Sequence, residues 1–247
     1  MIPARKSRLF TRWFSGDAER RMRGAFGSLR VRGLEPVRVL MRDGPVLIVS
    51  NHTAWWDPLV VLVLTTRVLG ADAFAMMDAK NLRRLPFFGL VGAFGVDLDV
   101  PADGARAIRY AAKLLDRPGR VVWIFAQGRE RPVTTRPLGF RGGTAEIARV
   151  ARRAAVLPVA LRYEHGARPE PDVYVSFGAP LERATSRDAD AARLAQEAAV
   201  TAELDALDAA LDVGDVAAWA PVFEARPSRL MGLLQAALAW LTRPRVR

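Results

Sequence analysis

Cysteine is absent from this chain of 247 residues, and only two histidines are present, His52 and His165. Without cysteine the protein has no disulfide bond, no thiol nucleophile and no cysteine-ligated metal. Two histidines so far apart in the sequence argue against a histidine-rich zinc site. The chemistry of the protein therefore has to come from other polar residues.

Long apolar runs are also absent. No stretch reaches the roughly 18 consecutive apolar residues that cross a bilayer as a helix, and the basic start of the chain lacks the continuous apolar core of a signal peptide. Hydrophobic residues still make up 51% of the sequence, enough for a substantial core. We predict one core domain over residues 29–180, preceded by a basic amphipathic segment at 1–28 and followed by helices at 181–247 that pack on the core or on a membrane.

Lysine is scarce, because only Lys6, Lys80 and Lys113 stand among 37 basic residues, and the formal net charge is +11. An arginine-rich surface suits anionic lipid or a phosphorylated small molecule. No nucleic-acid recognition motif is readable, and stacking aromatics do not alternate with the basic residues. We therefore expect an anionic membrane surface among the partners, and no nucleic acid.

A segment near each end of the chain combines apolar and basic residues and is a candidate for contact with a membrane. Residues 5–14 place bulky apolar side chains at helical spacing among arginines, namely Leu9, Phe10, Trp13 and Phe14. This pattern is typical of a short helix in a membrane interface, and equally of a helix packed on the protein's own body. Residues 230–241 form a second, strongly apolar predicted helix followed by arginines, which docks on the domain or lies on the membrane.

Between these ends the pattern alternates between strands and helices. Residues 36–50 predict a strand, a turn at Asp43-Gly44 and a second strand. The other main predicted elements are an apolar helix after Asp57, buried strands at 121–125 and 155–162, and an alanine-rich helix at 186–211.

The stretch Asn51-His52-Thr53-Ala54-Trp55-Trp56-Asp57 carries the most specific pattern. It follows the apolar run 45–50, so His52 stands at the carboxyl end of a predicted strand, where α/β proteins usually build their sites. A neutral imidazole takes a proton near pH 7, and a carboxylate on its other nitrogen fixes its tautomer. No serine or cysteine stands out as a nucleophile, so we predict that His52 is a base acting on a substrate hydroxyl and that Asp57 orients it. The alternative is a structural histidine at a helix start, with Asp57 as an unrelated cap.

A second polar loop follows the predicted strand 121–125. It reads Gln127-Gly128-Arg129-Glu130-Arg131 and should reach the same edge of the sheet as His52. Gly128 lets the backbone come close to a ligand, and the two arginines are able to hold an anion through paired hydrogen bonds. The alternative is a surface turn whose arginines are solvated.

These motifs resemble those of the glycerolipid acyltransferases, which include the lysophosphatidic acid acyltransferases. Asn51-His52 with Asp57-Pro58 is similar to the family's first block. Three later stretches follow in the family's order: 125–131 in place of Phe-Pro-Glu-Gly-Thr-Arg-Ser, 139–145 in place of Phe-Lys-x-Gly, and 156–161 in place of the Val-Pro-Val block. The resemblance covers about residues 30 to 180. It implies an α/β fold, a mixed β-sheet flanked by helices as in glycerol-phosphate acyltransferases, with amphipathic terminal helices.

The sequence departs from the family at positions tied to the glycerol phosphate of the acceptor. Gln127 stands where the family has glutamate, and Glu130 occupies the slot of its arginine, between Arg129 and Arg131. The second block, residues 95–100, contains two acidic residues and no arginine. Gln127 is still able to hydrogen-bond a hydroxyl-rich acceptor, so an uncharged acceptor stays open beside a phosphorylated one.

The resemblance implies an enzyme that transfers a fatty acyl group from acyl-CoA or acyl carrier protein to a hydroxyl of a lysophospholipid-type acceptor. It implies His52 and Asp57 as the catalytic residues, and neither a metal nor a redox cofactor. The residues expected to shape the acceptor site are Gln127, Gly128, Arg129, Arg131 and Arg141. The aromatic residues of a predicted loop at 81–89 either touch the acyl chain or fill the core.

Three alternatives stay open. The acceptor could be an uncharged glycolipid or a carotenoid glycoside. The chain could be a non-catalytic lipid-binding protein of the membrane surface, although the paired His52 and Asp57 argue against it. An esterase is disfavoured because no nucleophile elbow is present. We expect a cytoplasmic enzyme bound peripherally to the inner face of the cell membrane.

Overall fold

The computed structural model describes residues 1–97, 99–166, 168–182 and 188–225. This part of the chain contains eight α-helices and eight strands. The helices are α1 (Arg8–Ala25), α2 (Leu34–Asp43), α3 (Asp57–Val63), α4 (Ala79–Arg84), α5 (Phe87–Leu90), α6 (Pro101–Leu114), α7 (Gly143–Val150) and α8 (Ala189–Asp212). The strands are β1 (Ser28–Arg32), β2 (Val46–Ser50), β3 (Asp72–Asp78), β4 (Ala93–Val96), β5 (Arg120–Phe125), β6 (Ala155–Glu164), β7 (Asp172–Phe177) and β8 (Ala220–Glu224). A π-helical turn, Leu64–Val68, extends α3.

The eight described strands form one sheet in the order β4-β3-β5-β2-β6-β7-β1-β8. Neighbouring strands from β4 to β6 are parallel, and so are β7 and β1. The pairs β6 with β7 and β1 with β8 are antiparallel. The sheet is therefore mixed, which confirms the predicted α/β fold.

Helices cover both faces of the sheet. Buried side chains of α1, α2 and α3 pack on one face, and those of α6, α7 and α8 pack on the other. The central strand β2 has all five residues buried, and its apolar side chains alternate between the two faces, with Ile48 in one cluster and Val49 in the other. Because slipping a doubly buried strand by one residue would exchange its two faces, the register of β2 is well specified. The position at which the chain leaves β2, just before His52, is therefore also well specified.

The first strand predicted within residues 36–50 is wrong, because that region forms α2. Val37 and Met41, one helical turn apart, are the buried residues of this helix. Apolar residues so closely spaced fit a strand as well as one face of a short helix, and packing against the sheet selects the helix. The second predicted strand is present as β2.

Residues 81–89, predicted as a loop, lie largely in the short helices α4 and α5. The long helix predicted at 186–211 corresponds to α8, Ala189–Asp212. The apolar helix predicted at 230–241 and the arginines that follow it lie outside the described residues. Within the described ranges, no helix is both long and apolar enough to cross a membrane.

Candidate active site

The chain leaves the sheet at Asn51, whose side chain holds the end of β2 in place. Its amide nitrogen donates to the carbonyl of Leu161 at 2.8 Å, and its amide oxygen accepts from the N–H of Leu161 at 2.8 Å. The preceding Ser50 hydroxyl accepts a hydrogen bond from the Trp123 indole at 2.7 Å. These contacts tie the end of β2 to β6 and β5, so the position of His52 is set by three strands.

His52 and Asp57 are in direct contact, since Nδ1 of the imidazole lies 2.7 Å from Oδ2 of the carboxylate. The residues between them form a turn closed by the N–H of Asp57 donating to the carbonyl of Ala54 at 3.1 Å, and α3 begins only at Asp57. A regular helix would not turn positions five apart toward each other. The non-helical turn therefore makes the contact possible.

Asp57 is fully buried, with a side-chain exposure of 0%. Besides His52, its Oδ2 accepts the backbone N–H groups of Thr53 at 2.7 Å and Ala54 at 3.1 Å. Its Oδ1 accepts the hydroxyl of Tyr163 at 2.6 Å. These donors stabilise a buried carboxylate that would otherwise be costly to remove from water. The carboxylate in turn accepts a hydrogen bond from Nδ1–H of the neutral imidazole, and in this tautomer Nε2 carries a free lone pair.

The other edge of the imidazole faces outward. The ring stacks on Phe125 at 4.3 Å with an angle of 17° between the planes, and the His52 side chain is 14% exposed. The carboxylate of Glu130 approaches from the solvent side, with Oε1 at 3.6 Å from Nε2. That distance is too long for a hydrogen bond, so Nε2 is available to a proton donor in front of it.

A cavity of about 540 Å³ opens beside His52. Its volume lies in the usual range for ligand pockets, ~300–1,000 Å³. Apolar residues from α3, β3 and the α4–α5 region form much of its wall, among them Leu59, Leu62, Met77, Leu85 and Phe88. Phe88 also belongs to the buried core, as one of the two alternatives for the aromatic residues of 81–89 predicts. Contact of these residues with an acyl chain stays a prediction.

Gly128 and Arg129, two of the predicted substrate-binding residues, line this cavity together with His52. Gly128 has a φ of +71°, which favours glycine, and its N–H donates to the carbonyl of Phe125 at 3.0 Å. The tight turn that results brings the second loop back toward the imidazole.

Gln127 does not line the cavity, contrary to its expected contact with the acceptor. The residue is 3% exposed. Its side-chain oxygen accepts the N–H of His52 at 2.7 Å, and its side-chain nitrogen donates to the carbonyl of Leu138 at 3.0 Å. Because both polar atoms are occupied by backbone groups, Gln127 braces the loop behind His52.

Arg131 and Arg141 are also not among the cavity-lining residues. The N–H of Arg131 donates to the carbonyl of His52 at 2.9 Å, and its guanidinium lies beside Gly139. The N–H of Arg141 donates to the carbonyl of Ala126 at 2.9 Å, while its side chain is exposed. Their backbones link the loops, and their charged groups lie away from the cavity lining.

Sequence reasoning missed Tyr163, which lies on β6, 106 positions from Asp57 in the chain. Burial raises the pKa of the Tyr163 phenol well above its usual value, and the negative charge of Asp57 raises it further. The phenol therefore stays protonated and donates. No local pattern in the sequence marks this residue, because its partner is brought to it only by strand pairing.

Comparison with known proteins bears on both the fold and the site. A family model described as Acyltransferase matches residues 28–162, which is more than half of the chain and includes the contact between His52 and Asp57. No curated protein matches the chain. Ten chains of solved structures match. One is the 1-acyl-sn-glycerophosphate (LPA) acyltransferase PlsC from Thermotoga maritima, with a TM-score of 0.58, 17% sequence identity, and coverage of 81% of this chain and 80% of that one. At this level of identity, the likeness concerns the fold.

Proposed function

The chain belongs to the acyltransferase family and is an acyltransferase, and we propose that it transfers a fatty acyl group from acyl-CoA or acyl carrier protein to a hydroxyl of a lysophospholipid-type acceptor. The observation that carries the proposal is the hydrogen-bonded His52 and Asp57 at the wall of an apolar cavity. The alternative of a non-catalytic lipid-binding protein is set aside, because the family is one of enzymes.

In the proposed reaction, the acceptor hydroxyl gives its proton to Nε2 of His52 while its oxygen attacks the thioester carbonyl carbon. A C–O bond forms, and the carbonyl electrons move onto oxygen to give a tetrahedral oxyanion. Backbone N–H groups near the start of α3, or the cavity-lining Arg129, would stabilise that oxyanion. As the intermediate collapses, the C–S bond breaks and the departing thiolate takes the proton from Nε2. The products are an ester and a thiol, and Asp57 holds the ring throughout. Because the thioester is already activated, this scheme needs neither a metal nor a redox cofactor.

The cavity is the proposed site of the fatty acyl chain. Leu59, Leu62 and Phe88 are typical of a wall that an alkyl chain would contact, and burying each methylene there contributes about 0.8 kcal/mol. The wall and the imidazole belong to one cavity, so an acyl chain held in it would place its carbonyl carbon near Nε2.

Positive charge on the cavity wall supports an anionic group on donor or acceptor. Arg84 and Arg129 both line the cavity, and within the described ranges neither guanidinium group makes a salt bridge or a hydrogen bond. Guanidinium groups bind phosphate through paired hydrogen bonds. The Thermotoga protein is a 1-acyl-sn-glycerophosphate acyltransferase, and an acceptor of that class carries such a phosphate.

A second candidate, an uncharged glycolipid or carotenoid glycoside as acceptor, is favoured by Glu130. Its carboxylate lies 3.6 Å from Nε2 of His52, on the side where the acceptor hydroxyl would have to approach. A phosphate on the carbon next to that hydroxyl would meet the same negative charge, whereas sugar hydroxyls would donate hydrogen bonds to it.

A peripheral position on the inner face of the cell membrane is proposed from α1. Its Leu9 and Trp13 are 84% and 62% exposed, beside Arg8 and Arg12. Phe14 of the same helix contacts Phe88 of the cavity wall, with ring centroids 6.2 Å apart. An exposed apolar and basic face next to the cavity is suited to anionic lipid. Replacing Trp13 with glutamate should weaken sedimentation with vesicles containing phosphatidylglycerol, and unchanged sedimentation would contradict this placement.

The experiment that tests the reaction uses His52→Ala with a radiolabelled acyl thioester and a panel of lysophospholipid and glycolipid acceptors. Loss of the proton acceptor should lower transfer by ~100- to 10,000-fold. Wild-type transfer by the variant would remove His52 from the mechanism. Asp57→Asn serves as a matched variant, because it keeps the shape of the side chain and should also lower the rate.

The same assay separates the remaining alternatives. Thioester hydrolysis that needs no acceptor would favour an esterase. Transfer to a glycolipid but to no lysophospholipid would favour the second candidate over the first.

A further inference from the structure

The oxygen of Asp57 that faces away from His52 has its own donor. Three of the hydrogen bonds to this carboxylate, from His52, Thr53 and Ala54, end on Oδ2. The remaining one, from the hydroxyl of Tyr163, ends on Oδ1 at 2.6 Å. Within the described ranges, Tyr163 is the hydrogen-bond donor that serves Oδ1, and the carboxylate has no access to solvent. Removing this hydroxyl would leave a buried carboxylate oxygen without a donor.

Tyr163 is held firmly enough to serve as a support. It lies on β6, where it pairs with Val173 of β7. Its ring packs against Phe26 at 5.6 Å, and Phe26 meets Trp56 edge-on at 5.0 Å. Trp56 directly precedes Asp57, so the same aromatic group packs beside both partners of the hydrogen bond.

We infer that Tyr163 is a positioning residue for acyl transfer, whose hydroxyl holds the Asp57 carboxylate so that Oδ2 stays aligned with Nδ1 of His52. This inference rests on the proposed function, because it gives His52 the role of base. Tyr163 does not line the cavity and acts through Asp57.

The hydroxyl has a second effect, on the charge of the carboxylate. A hydrogen bond at Oδ1 withdraws part of the negative charge that Oδ2 would otherwise present to the imidazole. Without it, Asp57 attracts the protonated imidazole more strongly, and a smaller fraction of His52 is neutral at a given pH. Glu130, from the loop after β5, also faces the imidazole, and Phe125 covers the ring face. The charged Arg129 from the same loop lines the cavity together with His52.

The test is Tyr163→Phe, which removes the hydroxyl and keeps the ring. We expect kcat at pH 7 to fall by roughly 10-fold, as the loss of a hydrogen bond to a buried charged group implies. The KM for the acyl thioester should stay unchanged, because the residue lies outside the cavity. The rising limb of the plot of kcat against pH should move to higher pH, by about 0.5 to 1 unit.

Tyr174→Phe is the matched control. Tyr174 is also buried, on the neighbouring strand β7, but it packs in a separate cluster with Leu207 and Trp219. Its phenylalanine variant should show no displacement of the pH limb, whatever happens to its thermal stability. An unmoved limb and a wild-type kcat in Tyr163→Phe would overturn the inference, and so would an equal displacement in both variants.

A second variant covers the case in which Tyr163→Phe does not fold. Site-specific incorporation of 3-fluorotyrosine at position 163 keeps the size of the side chain and makes the phenol a stronger donor. The limb should then move to lower pH, opposite to the phenylalanine variant, and no movement or a movement to higher pH would contradict the inference. The variant His52→Ala distinguishes a failure of the proposed function from a failure of the role given to Tyr163. If that variant keeps full transfer, the proposed function fails; if it is inactive while both Tyr163 variants behave as wild type, only the role of Tyr163 fails.

Discussion

The side-chain oxygen of Gln127 accepts a hydrogen bond from the backbone N–H of His52 at 2.7 Å. The side-chain nitrogen of the same residue donates to the carbonyl of Leu138 at 3.0 Å. Gln127 thus joins the loop that carries the proposed base to the chain segment after the second loop. A glutamate here would still accept from His52, but it would turn a carboxylate oxygen toward the Leu138 carbonyl.

Gln127→Glu should therefore destabilise the protein and misplace His52. We expect the free energy of unfolding to fall by about 1–3 kcal/mol, the cost of an unsatisfied buried polar group, and the transfer rate to fall with it. Denaturant unfolding and the acyl transfer assay measure the two effects. Gln196, equally buried but bonded to Thr144 away from the site, provides the control, since Gln196→Glu should affect stability alone. A change confined to the KM for the acceptor would show instead that Gln127 touches the acceptor.

Arg129 and Arg131 should respond differently to replacement by alanine. Arg129 lines the cavity, whereas the guanidinium of Arg131 lies beside Gly139. Arg129→Ala should raise the KM for lysophosphatidic acid by roughly 10-fold, the effect of losing one charge-assisted hydrogen bond. Arg131→Ala should leave that KM nearly unchanged. Equal increases in both variants would mean that the two arginines share one anion site.

Glu130→Gln tests the charge that faces the acceptor. The substitution removes a negative charge 3.6 Å from Nε2 of His52 without changing the size of the side chain. Transfer to lysophosphatidic acid should increase by roughly 3- to 10-fold in kcat/KM, and the gain should shrink at high salt because screening weakens the repulsion. Transfer to a glycolipid should change little. An unaltered ratio of the two kcat/KM values would remove the support for an uncharged acceptor.

Glu19 should make part of the stability depend on pH. It lies on α1 and accepts hydrogen bonds from Arg23 of the same helix and from Arg67 at the end of the α3 extension. Burial alone would raise the pKa of Glu19, but the hydrogen bonds and charges of the two arginines outweigh burial and lower it. Because the folded-state pKa is below the unfolded one, ionised Glu19 stabilises the fold at neutral pH. That contribution is lost as the pH falls through the folded-state pKa.

Glu19→Gln should lower the free energy of unfolding at pH 7 by about 1 kcal/mol. The difference from wild type should shrink as the pH falls below the unfolded-state pKa of about 4.3, and it should vanish once the pH is below the lower folded-state pKa. Thermal unfolding followed by circular dichroism across this range measures it. Glu35→Gln is the control, since Glu35 is 76% exposed and its helical ion pair with Arg38 contributes little. A difference that does not shrink as the pH falls would contradict the assigned role of Glu19.

Much of the sheet could be predicted from the sequence. Residues 45–50 and 121–125 are continuous apolar runs, and such runs become doubly buried strands almost wherever they occur in an α/β fold. The His52 and Asp57 motif was equally readable, because its two residues are close in sequence. The helix α2 could not be predicted in the same way, because the spacing of Val37 and Met41 fits both the two-residue repeat of a strand and the 3.6-residue repeat of a helix. Packing on the sheet selects the helix.

The directions of the side chains in the loop after β5 could not be predicted from the sequence. Gln127, Arg129 and Arg131 lie within five positions of one another. The Gln127 side chain nevertheless bonds to the backbone of His52, Arg129 lines the cavity, and the Arg131 guanidinium lies beside Gly139. These directions follow from a tight turn at Gly128 and from hydrogen bonds to residues elsewhere in the chain.

Local patterns in the amino-acid order thus predicted the central strands, the pairing of imidazole and carboxylate, and the resemblance to the family. Only the tertiary structure determined which residues form the cavity wall, that Tyr163 supports Asp57, and that Glu130 lies in front of Nε2 of His52. The reason is distance along the chain: apolar periodicity and short motifs act between near neighbours, whereas these contacts join segments that meet only when parallel and antiparallel strands assemble into one sheet.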